Sequence, residues 1–70
     1  MTRYAVIYEP TRTCYSAYTP DLPGCIATGS TLEETRARMH AAFEIHIASM
    51  REDGDHIPEP SPVADMLEVA

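Results

Sequence analysis

An α+β domain of order β-β-β-α-β is predicted: a three-stranded antiparallel sheet, one long helix packed on it, and a short strand after the helix. Three observations predict it. Three short runs suited to strands lie ahead of position 31, bounded by proline or glycine. A capping pair at Ser30 and Glu33 then opens an apolar stripe with spacings of three and four residues. Beyond that stripe a proline-rich stretch forces an extended path before a last apolar run.

The first run, "RYAVIYE" from Arg3 to Glu9, is rich in aliphatic and aromatic residues and ends at Pro10, which has no N–H for a ladder. "PTRT" makes the connection, and "CYSAYT", Cys14 to Thr19, is the second strand. In "PDLPG" two prolines hold φ near about −65° and Gly24 supplies a positive φ where one is needed, so the chain reverses tightly. "CIATGS", Cys25 to Ser30, returns as the third strand, with Thr19 opposite Cys25 and Ala17 opposite Ala27. Period-two alternation then puts Tyr15, Ala17, Cys25, Ala27 and Gly29 on one face and Ser16, Tyr18, Ile26 and Thr28 on the other. The small-residue face lets a helix approach closely.

Ser30 is the expected N-cap, and Glu33 and Glu34 stand in the first turn near the positive end of the dipole. Leu32, Thr35, Met39, Ala42, Phe43, His46, Ile47 and Met50 form the stripe that covers the sheet. With Arg51 in the last turn and Gly54 at the C′ position, the helix runs about 22 residues, or about 33 Å. Phe43→Ala is expected to cost about 3–5 kcal/mol if Phe43 is buried. "HIPEPSP" then cannot be helical and carries the chain back along the sheet, where Met66 to Val69 of "MLEVA" forms the last strand.

Seventy residues make a single domain, residues 1–70, with no internal repeat. So short a chain buries only about 60% of the surface its unfolded form exposes, which makes a homodimer or larger homo-oligomer a reasonable expectation. Eleven acids against five arginines and no lysine give a net charge of −6. Direct nucleic-acid binding is not expected, because it relies on clustered cations; a basic partner protein suits this charge better. With no signal-peptide pattern and no membrane-length apolar run, a cytoplasmic protein is expected. The hairpin register keeps Cys14 far from Cys25, so both are expected as free thiols.

The ordered segments "YSAYTPDLPGC", "GSTLEET" leading into a helix and "DGDHIPEPS" leading out of it resemble the HicB-like antitoxins, a family with a partial RNase H fold. Each piece alone is unspecific; their order and spacing over residues 4–70 carry the likeness. The resemblance implies an antitoxin of a type II toxin-antitoxin system. Such a protein binds a small basic HicA-like ribonuclease that cuts messenger RNA and silences it by covering its catalytic histidine. That role needs surface complementarity and no chemistry, so no enzyme activity is expected. Many antitoxins of the family continue into a C-terminal DNA-binding segment, whereas this sequence stops at Ala70. A solitary homo-oligomeric domain with a structural or binding role and no toxin partner is therefore the alternative. Asp21, Leu22, Glu59 and Glu68 are the candidate toxin contacts.

Candidates for chemistry fare less well. Metal-dependent nuclease action needs converging carboxylates, yet Glu9, Asp21, Glu44 and Glu68 do not fall on facing strand positions. His40 and His46 lie about 240° apart on a helix and cannot share a metal, and His40 with Glu44 has the spacing of a surface contact. Cys25 has no neighbouring base or cation in sequence to activate it and reads as a structural thiol. The acidic run Glu52, Asp53, Asp55 and Glu59 is a solvated helix end or a contact for a basic partner. No catalytic, metal or cofactor-binding residue is assigned.

Overall fold

The computed structural model describes residues 3–60 and 63–69, and over them the chain folds as three antiparallel strands followed by one helix. The strands are β1 (Ile7–Pro10), β2 (Tyr15–Tyr18) and β3 (Ile26–Gly29), in the order β1-β2-β3, and the helix is α1 (Leu32–Asp53). The hairpin register sets Ala17 opposite Ala27, as the turn chemistry predicts.

Each strand is shorter than its apolar run, and the turns explain why. β2 ends at Tyr18, the partner of Ile7, because Pro20 and the following residues turn the chain away; residues before Ile7 then have no ladder to join. Pro10 sits at the end of an edge strand, where a missing donor costs nothing. Thr11 closes the first hairpin: its N–H donates to the Cys14 carbonyl at 2.7 Å, and its hydroxyl accepts from the Cys14 N–H at 3.0 Å. In the second hairpin the Leu22 N–H donates to the Thr19 carbonyl and the Cys25 N–H to the Leu22 carbonyl, with Gly24 at φ 86°.

The helix lies on the small-residue face of the sheet, chiefly against β3 and β2. Ala17, Leu22, Cys25 and Met39 form the fully buried core, with Val6, Tyr8, Ala27, Phe43, Ile47 and Met50 packed half-buried around it. Gly29 makes the close approach possible. A Cβ there would stand 2.7 Å from the Thr35 hydroxyl and 2.9 Å from the Thr35 nitrogen, so only a glycine lets the first helical turn rest on the strand. Buried Thr35 is satisfied by donating to the Thr31 carbonyl at 2.7 Å, and buried Thr19 by donating to the Ala5 carbonyl at 2.8 Å.

The helix has the expected 22 residues but begins one residue later than the Ser30 cap implies. Thr31 is the N-cap, its hydroxyl accepting from the Glu34 N–H at 3.0 Å, while the Glu34 carboxylate accepts from the Ser30 N–H at 3.2 Å. Ser30 with Glu33 and Thr31 with Glu34 both have capping-box spacing, and the second forms the cap. At the other end Gly54 takes φ 72°, and the N–H groups of Gly54 and Asp55 close on the Arg51 and Met50 carbonyls. The stripe from Leu32 to Met50 is buried or half-buried throughout.

The chain then returns toward the sheet, where the Tyr4 hydroxyl donates to the Pro58 carbonyl. Ser61 and Pro62 of the proline run lie outside the described residues. The short C-terminal strand is not formed: among the described residues Met66–Val69 joins no ladder. Met66, Leu67 and Val69 are more than nine-tenths exposed. A segment this short has no strand stability of its own, and it lies along neither edge of the sheet.

Candidate functional site

The turn between β2 and β3 presents the first candidate surface. Two successive backbone turns from Thr19 to Cys25 hold it, and Leu22, 1% exposed, is driven into the core beside Ala17, Cys25 and Met39. Leu22 therefore has no side-chain surface to give a partner; it anchors the loop that presents Asp21. An apolar residue alone in a polar turn is the sequence signal for such an anchor.

Acidic surface gathers beyond the helix. Glu52 and Asp53 end α1, Asp55 and Glu59 follow, and all four are exposed. The Tyr4 to Pro58 hydrogen bond ties this segment to the chain entering β1, and Ile57, Pro58 and Pro60 are half-buried. Glu68 belongs to the exposed residues 63–69. Asp21, Glu59 and Glu68 thus occupy three separate segments.

Sequence reasoning missed a groove of about 520 Å³ between α1 and the chain that enters β1. Tyr4, Val6 and Tyr8 form one wall and Met39 and Phe43 the other, and Arg3, Arg36 and His40 bring nitrogen to it. The Tyr4 and Phe43 rings meet with centroids 5.5 Å apart at 57°, and the Arg36 guanidinium sits 5.7 Å from the Tyr8 ring centroid. The groove exists because α1 covers β2 and β3 and leaves the β1 side of the sheet open. Period-two spacing of Tyr4, Val6 and Tyr8 was its legible trace.

The residues weighed for chemistry sit apart. Glu9 lies on β1, Glu44 on the exposed side of α1 and Glu68 beyond the helix, and among the described residues no three His, Cys, Asp or Glu side chains are grouped as a metal site. His40 and Glu44 meet at 3.0 Å in a solvent-exposed pair, and Arg38 pairs with Glu34 at 3.2 Å. Cys25 is buried, and desolvation raises its thiol pKa, which keeps it protonated and a poor nucleophile at neutral pH. Cys14 is half-buried, its sulfur 3.1 Å from the Thr11 hydroxyl. Among the described residues no helix is long and apolar enough to cross a membrane.

A sequence model described as a HicB-like antitoxin of bacterial toxin-antitoxin systems matches residues 4–69. Among curated proteins, an "Uncharacterized 14.9 kDa protein in rep-hol intergenic region" of Haemophilus phage HP1 (strain HP1c1) is 33% identical over 64 residues. That alignment takes in 91% of this chain and 48% of the phage protein, so the chain spans about half the length of this curated relative. Among solved structures, a chain of the HicA3 and HicB3 toxin-antitoxin complex superposes with a TM-score of 0.65 at 31% identity, covering 89% of this chain and 70% of that one.

Proposed function

The chain belongs to the HicB-like antitoxin family of bacterial toxin-antitoxin systems, and from that premise we propose that it is an antitoxin that binds a HicA-like ribonuclease and inhibits it by occluding its active site. The observation that carries this reading is the family match over residues 4–69, joined by the fold shared with a chain of a HicA3–HicB3 complex. Inhibition of this kind is steric. The antitoxin supplies a complementary surface and performs no reaction.

Net charge supports a basic partner. Asp21, Glu59 and Glu68 are the proposed acidic contacts. Leu22 contributes by fixing the turn that carries Asp21. The chain is proposed to act in the cytoplasm, where a messenger-RNA-cleaving toxin works. It is also proposed to self-associate, because only four apolar residues are fully buried among the described residues while Val63, Met66, Leu67 and Val69 stand exposed.

Co-expression with a HicA-like ribonuclease encoded beside its gene tests the antitoxin reading. Restored growth together with a co-purifying complex is the expected result. If growth stays arrested and no complex forms while the protein is folded and abundant, the reading fails, and a homo-oligomeric domain with a binding role and no toxin partner takes its place.

A further inference from the structure

Among the described residues, two open apolar surfaces carry opposite charge. One is the groove between α1 and the entry to β1, floored by Tyr4, Tyr8 and Phe43 and carrying Arg3 and Arg36 in a molecule of net charge −6. The other is the segment from residue 63 to 69, "VADMLEV". Val63, Leu67 and Val69 there are 96%, 92% and 96% exposed. Taken as an extended strand, this segment shows Val63, Asp65, Leu67 and Val69 on one side and Met66 and Glu68 on the other. From Asp65 to Val69 it then spans about 13 Å, close to the rise of about 10 Å from Arg36 to Phe43 along the helix.

We propose that residues 63–69 of one copy dock in the groove of a second copy, and that the exchange is reciprocal, giving a two-fold dimer. Leu67 and Val69 cover the aromatic floor, and Asp65 meets Arg36, whose guanidinium already lies over Tyr8. The occupant is identified by charge. A basic partner is repelled by Arg3 and Arg36, whereas an apolar segment bearing an aspartate matches both the floor and the rim. A second copy is favoured because a two-fold arrangement covers the groove and the segment of both molecules at once. Glu68 faces away from the groove in this arrangement and stays available to a toxin. The inference deepens the proposed self-association and does not depend on toxin binding.

Sedimentation equilibrium on the full chain across a dilution series tests it, with circular dichroism confirming that each variant is folded. The wild type is expected to be a dimer. Leu67→Asp and Arg36→Asp each change an exposed side chain, and each is expected to weaken dimerisation by about tenfold or more. The double variant Arg36→Asp with Asp65→Arg is expected to recover most of the loss. A monomeric wild type overturns both self-association and this interface. A dimer that survives Leu67→Asp and Arg36→Asp, or that is lost only on Ile26→Asp at the opposite sheet face, overturns this interface alone. A folded double variant that stays as weak as Arg36→Asp overturns the Asp65 to Arg36 pairing and with it the proposed geometry. Toxin co-purification by the monomeric Leu67→Asp variant separates these outcomes from any failure of the antitoxin reading.

Discussion

Gly29 carries the tightest constraint in the molecule. Its missing Cβ is what lets Thr35 sit against β3, and two of the three atoms a methyl group would meet are backbone, which cannot swing aside. Gly29→Ala is expected to cost about 1–3 kcal/mol, visible as a fall in melting temperature of several degrees, because the start of the helix must lift. Met39 and Phe43 separate in the same way. Met39 is fully buried, so Met39→Ala should lose about 2–5 kcal/mol; Phe43 lines an open groove and is half-buried, so Phe43→Ala should fall below the roughly 3–5 kcal/mol of a fully buried ring. Chemical denaturation of the two variants measures the order directly.

The two thiols make a third residue-scale prediction. In the native protein Cys14 is expected to react with iodoacetamide well before Cys25, and mass spectrometry after partial alkylation reads the site. Burial raises the Cys25 pKa, so the folded state holds that proton more firmly than the unfolded one. The thiol's contribution to stability is complete below its ordinary pKa and is lost as pH rises through the raised value. Stability should therefore decline at alkaline pH, and Cys25→Ser should flatten that decline.

At the scale of elements, the helix shows how local signals and tertiary contacts divide the work. Its length, stripe and glycine stop were all legible, because caps and a 3.6-residue period are written in neighbouring residues. The cap was misplaced by one because Ser30 and Thr31 offer equivalent hydroxyls, each followed three residues later by a glutamate. Thr31→Ala is expected to cost about 1 kcal/mol, and Ser30→Ala clearly less, since Ser30 contributes its backbone N–H. Equal losses in thermal melts, or a larger one at Ser30, would return the cap to Ser30. The strands divide likewise: the turn chemistry of Pro20 to Gly24 set the register, whereas the length of each strand followed from where its partner ends. Residues 3–6 carry a strand's composition without a strand's partner.

At the scale of the whole molecule, the sheet has one covered and one open face, and the helix covers the first unevenly. Ile7, Tyr18 and Ile26 make an apolar row across all three strands on the open face, while the β1 side of the covered face is left as the groove. Acidic residues dominate what remains. If Asp21, Glu59 and Glu68 meet a basic toxin, Glu59→Lys and Glu68→Lys should slow association at low ionic strength and flatten its salt dependence, with smaller effects on dissociation. Stopped-flow or surface-capture kinetics at two salt concentrations would show it, and unchanged rates would remove these residues from the interface.

The order of the three strands and the helix, the hairpin register, the apolar helix face and the family likeness were all determined by the sequence itself, because each is encoded over spans of a few residues or in the order of short motifs, whereas the last strand expected at Met66–Val69 is not formed. The burial of Leu22, the groove joining Tyr4, Arg36 and Phe43, and the standing apart of Met66–Val69 were decided only by the tertiary structure. Each depends on how far a 22-residue helix reaches over strands of four residues and on which side of the sheet it leaves bare, a relation between distant segments that no local pattern contains.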